Sequence, residues 1–146
     1  MAQRQDPSPL QTLYDPDALD RYCRQKGIRL VVLFGSHAHG KAGSHSDVDL
    51  AVQMQRGAEA DKLQLIFDLE GIFSPHRVDL VILNPLTSPL LLHEVFLQGR
   101  PLYEAVTDEF KRGRLRAWKL YQDSARLRRL EKRALEHFVR RVNHVP

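Results

Sequence analysis

The sequence predicts one α/β domain of the α+β kind, a small mixed sheet flanked by helices, with a long basic helix at its C-terminal end. Short apolar, β-branched runs bounded by Gly, Pro or Asn alternate with stretches whose apolar residues recur every three or four positions. The 146 residues fall in the size range of one ordinary domain, which buries roughly two-thirds of the surface its unfolded chain exposes. Hydrophobic residues make up 42% and charged residues 27%, a globular balance that excludes wholesale disorder.

The elements follow in order. Asp15 or Asp17 caps a helix over "DALDRYCRQKG", with Leu19, Tyr22 and Cys23 on one face and Gly27 as its stop. "IRLVVLF", residues 28–34, is the first strand. Gly35 and Ser36 turn the chain, "HAHG" reads as a short helical piece ended by Gly40, and residues 41–46, "KAGSHS", are loop chemistry. The second strand runs from Asp47 to Met54. "GAEADKLQLIFDLEGIF" is helical, with Leu63, Ile66, Phe67 and Leu69 or Glu70 proposed as its stripe. "HRVDLVIL", His76 to Leu83, is the third strand, broken by Asn84–Pro85. "SPLLLHEVFLQG" is a helix with Ser88 as cap, Pro89 at its first position and Gly99 at its end. "RPLYEA" is a short edge strand, because Pro101 would be costly in a central one. From Thr107 to about Arg141 runs one helix with Leu120, Ser124, Leu127, Leu130, Ala134 and Phe138 on a stripe that either packs back on the domain or meets a partner. The division expected is a domain over 1–106 and a helical extension over 107–146, with a hinge near Ala105 to Gly113.

Charge is unevenly distributed. Residues 107–146 hold 12 Lys or Arg against 5 Asp or Glu, net +7, and the remaining residues hold 10 against 13, net −3. A basic helix of this kind is a solvated face, or a contact for nucleic acid or an acidic protein. One cysteine, Cys23, excludes an internal disulfide and suits a reducing compartment. "MAQRQDPSPLQ" has no apolar core of a signal peptide and no stretch reaches the length of a membrane span, so a cytoplasmic protein without a membrane partner is expected.

The chemistry concentrates in "DVDLAV". Residues two apart in a strand share a face, so Asp47 and Asp49 set two carboxylates about 7 Å apart along the chain, while Val48 and Leu50 point to a core. Like charges that close need a cation or a proton. Asp79 occupies the same kind of position in the third strand, and if the two strands are neighbours three carboxylates converge. All-oxygen ligands suit Mg²⁺, which keeps waters and accepts substrate phosphates. Gly35–Ser36, at a strand end, would offer N–H groups and a hydroxyl to such a phosphate. Alone, a D-x-D pair is also a solvated strand and Gly–Ser an ordinary turn; the joint pattern is what points to a metal–nucleoside triphosphate. His37, His39 and His45 invite a zinc reading, but no cysteine accompanies them, and surface or substrate-contacting histidines are expected instead.

"GSHAHGKAGSHSDVDL", Gly35 to Leu50, resembles the signature of the DNA polymerase β-like nucleotidyltransferases, and in particular their small branch, the minimal nucleotidyltransferases. The resemblance rests on Gly35, Ser36, Gly40, Ser46, Asp47, Asp49 and Asp79, extends through "LLHEVFLQGRPLYE", and covers about residues 15–106. His39 departs from it: family members often carry Arg there, which weakens a triphosphate contact from that position or makes it pH-dependent. The resemblance implies that Asp47, Asp49 and Asp79 are catalytic and hold two Mg²⁺ ions, with Asp79 helping to deprotonate the acceptor, and that Gly35, Ser36 and Ser46 bind the nucleotide. ATP would be the substrate. It further implies an antitoxin that AMPylates a tyrosine of a HEPN-type ribonuclease toxin. The alternatives are an antitoxin that neutralises its toxin by complex formation alone, and an adenylyltransferase of small molecules, disfavoured because nothing after residue 106 reads as a pocket-forming domain. The basic helix leaves a homo-oligomer contact open, and DNA binding as a less favoured option.

Overall fold

The computed structural model describes residues 13–43 and 46–143, so the N-terminal "MAQRQDPSPLQ" and His45 of the zinc reading lie outside the described residues. Its elements are α1 (Pro16–Lys26), β1 (Ile28–Phe34), β2 (Val48–Met54), α2 (Lys62–Ile72), β3 (Val78–Ile82), α3 (Pro89–Gln98), β4 (Arg100–Glu104) and α4 (Glu109–Asn143). Local chemistry sets most of these limits. The Asp15 carboxylate accepts from the Asp17 N–H at 3.0 Å and Pro16 opens α1, while Gly27 closes it in the left-handed conformation at φ 69°. The Ser88 hydroxyl accepts from the Leu91 N–H ahead of Pro89, as the sequence leads one to expect for α3.

The four strands form one mixed sheet in the order β3-β2-β1-β4. β1 is antiparallel to both β2 and β4, and β2 is parallel to β3. β4, with its Pro101, is an edge strand as expected. Both faces of β1 are covered, which is why it reads as an unbroken apolar run rather than an alternating one. Val31 and Leu33 join Leu50, Val52 and Leu80 under α1 and α2, in a core with Leu19, Cys23, Leu65, Leu69 and Phe73. Leu30, Val32 and Ala51 point the other way, to Val95 and Phe96 of α3 and to Phe110 and Ala117 of α4.

Several expectations are corrected. The "HAHG" segment is a run of turns and not a helix: Ala38 and His39 donate to the carbonyls of Gly35 and Ser36, and Lys41 returns to Ser36. β2 begins at Val48, one residue after Asp47, and β3 spans only Val78–Ile82. α2 starts at Lys62 because the Asp61 carboxylate accepts from Gln64, and its buried face keeps Ile66 and Leu69 of the expected stripe but replaces Leu63 and Phe67 with Leu65. Leu65 and Leu69 are buried, whereas Leu63 is 80% and Phe67 73% exposed. "KLQLIFDLEGI" is apolar nearly all round, so its periodicity could not select a side.

α4 begins at Glu109 rather than Thr107, since Asp108 sits in the left-handed region at φ 65°. Its first half packs antiparallel to α3, from Phe96 against Phe110 to His93 against Tyr121. At 1.5 Å per residue the 35 residues of α4 extend about 52 Å, and the 10 of α3 about 15 Å. The neighbour therefore runs out. The stripe through Leu120, Leu127, Leu130 and Phe138 does not fold back, and every residue from 129 to 143 is exposed. No helix among the described residues is long and apolar enough to cross a membrane.

Candidate active site

The parallel register of β2 and β3 pairs Asp49 directly with Asp79, so their side chains leave the same face of the sheet side by side. That face is the one on which Ala51 meets α3, and Val48 and Leu50 go to the opposite core, as expected. Asp47 stands just before β2 and is exposed, as is Asp79; Asp49 is half-buried. Burial pushes the Asp49 carboxyl above its ordinary value, the negative charges of Asp79 and then Asp47 push it further, and His37 partly offsets them. Asp49 thus feels both other carboxylates, one from its own segment and one from the neighbouring strand.

Gly35 completes the arrangement. It follows β1, whose last residue, Phe34, pairs with Asp49. Its φ of 72° favours glycine, and a Cβ there would run into the carboxylate of Asp49. Any other residue would displace both the turn and the carboxylate. The N–H groups of Ser36 and His37 have no backbone acceptor among the described residues, and the Ser36 side chain is half-buried beside them. The Ser46 hydroxyl is engaged within its own loop, accepting from the Gly43 N–H at 3.0 Å, while the Ser46 N–H donates to the Gly43 carbonyl. Gly40, also of positive φ, ends the turn after an exposed His39.

Among the described residues no group of three or more His, Cys, Asp and Glu side chains is gathered closely enough to hold a metal ion by itself. Asp47, Asp49 and Asp79 therefore do not by themselves form a complete metal cage. His76 stands beside this site although nothing in its sequence position singled it out. It lies thirty residues from the loop it touches, a contact that only the pairing of β2 with β3 creates. Two hollows elsewhere, ≈ 500 Å³ between α1 and α2 and ≈ 340 Å³ between α3 and α4, are lined by none of these groups.

A mixed sheet of this topology thus sets a glycine turn against paired strand carboxylates. Residues 18–108 match the family described as polymerase beta, nucleotidyltransferase, and the chain belongs to that family. More particularly, it is 30% identical over 120 residues to the protein adenylyltransferase MntA of Aphanizomenon flos-aquae (strain 2012/KM1/D3), a match covering 75% of this chain and 77% of that protein. Among solved structures, a chain of a toxin–antitoxin complex with AMP-PNP superposes with a TM-score of 0.66 at 23% identity, covering 83% of this chain and 98% of its own. A chain from the complex of tri-AMPylated Shewanella oneidensis HEPN toxin with MNT antitoxin gives 0.59 at 21% identity, covering 82% and 95%.

Proposed function

We propose that this protein is the antitoxin of a HEPN toxin–antitoxin pair and that it transfers AMP from ATP to a tyrosine of its cognate HEPN ribonuclease toxin. The observation that carries this assignment is the in-register pairing of Asp49 with Asp79 against a glycine whose Cβ would collide with Asp49. The adenylyltransferase activity of the Aphanizomenon relative and the AMPylated toxin of the Shewanella complex support it.

Asp47, Asp49 and Asp79 would hold Mg²⁺, two ions in this assignment. The fit is chemical: the donors are hard oxygens, and a divalent cation relieves the repulsion that raises the Asp49 pKa. Held there, it supplies neutralisation of the triphosphate charge and a lower barrier to attack at the α-phosphorus. Gly35, Ser36 and the amides of Ser36 and His37 bind the β- and γ-phosphates, and Ser46, whose hydroxyl accepts from the Gly43 N–H, belongs with them to the nucleotide site. The phenolic oxygen of the toxin tyrosine bonds to the α-phosphorus as the bond to pyrophosphate breaks. Asp79, exposed at its strand, takes the phenol proton. A site in which Asp47 and Asp79 are exposed suits a side chain presented by a protein. Cys23, a buried free thiol, fits a cytoplasmic setting.

Mass spectrometry of the partner after incubation with this protein, ATP and Mg²⁺ tests the assignment. Mass increments of one or more AMP units on a tyrosine are expected, and none with Asp47→Ala/Asp49→Ala. Neutralisation by complex formation alone is the second reading, favoured by the exposed apolar residues along α4, Leu127, Leu130, Leu135 and Phe138. A partner that stays unmodified yet co-purifies would select it.

A further inference from the structure

One backbone carbonyl ties the three segments of the site together. The Ser46 oxygen lies 2.9 Å from His37 Nε2 and 3.4 Å from His76 Nδ1, and the two imidazoles meet edge to face with centroids 5.1 Å apart. A carbonyl oxygen has two lone pairs, so both rings can donate to it at once. His37 rides on the turn after β1 that contains Gly35 and Ser36. His76 is three residues before Asp79, and its own N–H is anchored on the Phe73 carbonyl. Ser46 directly precedes Asp47, and on the other side of Asp47 the Val48 N–H donates to the Arg77 carbonyl at 2.8 Å. Asp47 is exposed and outside the strand, so these flanking bonds are what hold its backbone.

We propose that His37 and His76 are positioning residues for nucleotidyl transfer: by donating from His37 Nε2–H and His76 Nδ1–H to the Ser46 carbonyl, they fix Asp47 relative to Asp49 and hold the glycine turn over the paired carboxylates. Neither ring touches the reacting atoms, and neither needs a positive charge for this role, since each neutral tautomer carries one N–H. The two bonds require opposite tautomers. Misplacing a carboxylate costs rate more than ground-state binding of ATP, because its contribution is made chiefly in the transition state.

This inference rests on the transfer reaction proposed above, and the experiment separates the two. His37→Phe keeps the ring and its edge contact but removes the N–H; His37→Gln returns an amide N–H at similar reach. With the partner protein as acceptor, His37→Phe is expected to lower kcat about threefold to tenfold, the effect of one net hydrogen bond, with the KM for ATP nearly unchanged. The Mg²⁺ concentration for half-maximal rate should rise, a quantity that mere loss of folded protein does not move, and His37→Gln should recover most of both. Independently of activity, ¹⁵N–¹H correlation spectra of the wild-type protein should show His37 as the Nε2–H tautomer and His76 as the Nδ1–H tautomer. An unchanged kcat and Mg²⁺ dependence in His37→Phe, no recovery with glutamine, or the reverse tautomers would overturn the inference. A wild-type protein that transfers no AMP would sink the transfer reading instead, with the tautomers still deciding whether the carbonyl clamp exists.

Discussion

Asp49 shows how one residue is placed under opposing demands. It occupies a half-buried strand position, where a neutral side chain would be cheaper, and it abuts Asp79 in register. Burial and the neighbouring charges raise its pKa above that of an unfolded aspartate, so the charged form works against folding. That penalty exists above the folded-state pKa and disappears below the unfolded value of about 4. Asp49→Asn is therefore expected to abolish AMP transfer while raising the Tm at pH 7 without divalent cations. The gain should shrink as the pH is lowered toward about 4, where the wild-type carboxyl is itself protonated; melting curves across that range check it. Asp47, Asp49 and Asp79 stood out in the chain as carboxylates inside apolar runs, although Asp47 proves to lie just before β2 rather than in it. His76 did not, because its partner is remote in sequence.

At the scale of elements, limits were more legible than faces. Caps act within a few residues, so Gly27, Ser88 and Gly99 marked the ends of α1 and α3 from sequence, and of the two candidates Asp15 and Asp17 the structure selects Asp15 as the cap of α1. Which side of α2 is buried depends on the sheet beneath it, and an apolar helix offers two candidates. Leu69→Ala should cost about 2–5 kcal/mol in denaturant unfolding, the range for a fully buried leucine, whereas Leu63→Ala should change stability by no more than about 0.5 kcal/mol. Equal losses at the two positions would mean that the helix is rotated. α4 poses the same problem in another form. Its stripe is real as a pattern, but the short α3 gives only its first half a surface to pack on.

Across the whole molecule, α4 is fastened to the sheet by an ion-pair cluster on β1. Glu109 is buried, with its Oε2 2.8 Å from Arg112 Nη2 and 3.0 Å from Arg29 Nη2. Arg29 Nε also lies 2.9 Å from Glu109 Oε1, close enough for ion pairing although its N–H is not aimed at the oxygen. Burial by itself would raise the Glu109 pKa, but the hydrogen bonds from Arg112 and Arg29 outweigh it and hold the group below its usual value. A depressed folded-state pKa means stabilisation that is present above the unfolded value, about 4.3, and is lost as pH falls through the folded one. Glu109→Gln should thus lose about 1–3 kcal/mol at pH 7, with the difference from wild type narrowing in acid. Equal stability of the two proteins at pH 7 would show that the cluster does not anchor α4.

Element order, the carboxylates in apolar runs, the glycine turn and the family could all be read from the chain, because they depend on spacing and on residues close together in it. Folding in three dimensions was needed to set Asp49 beside Asp79, to bring His37 and His76 to one carbonyl, to choose the buried face of α2 and to leave the end of α4 free. Each of these is a relation between segments remote in sequence, set by strand register and by how far a neighbouring element extends, and neither quantity is encoded in local periodicity.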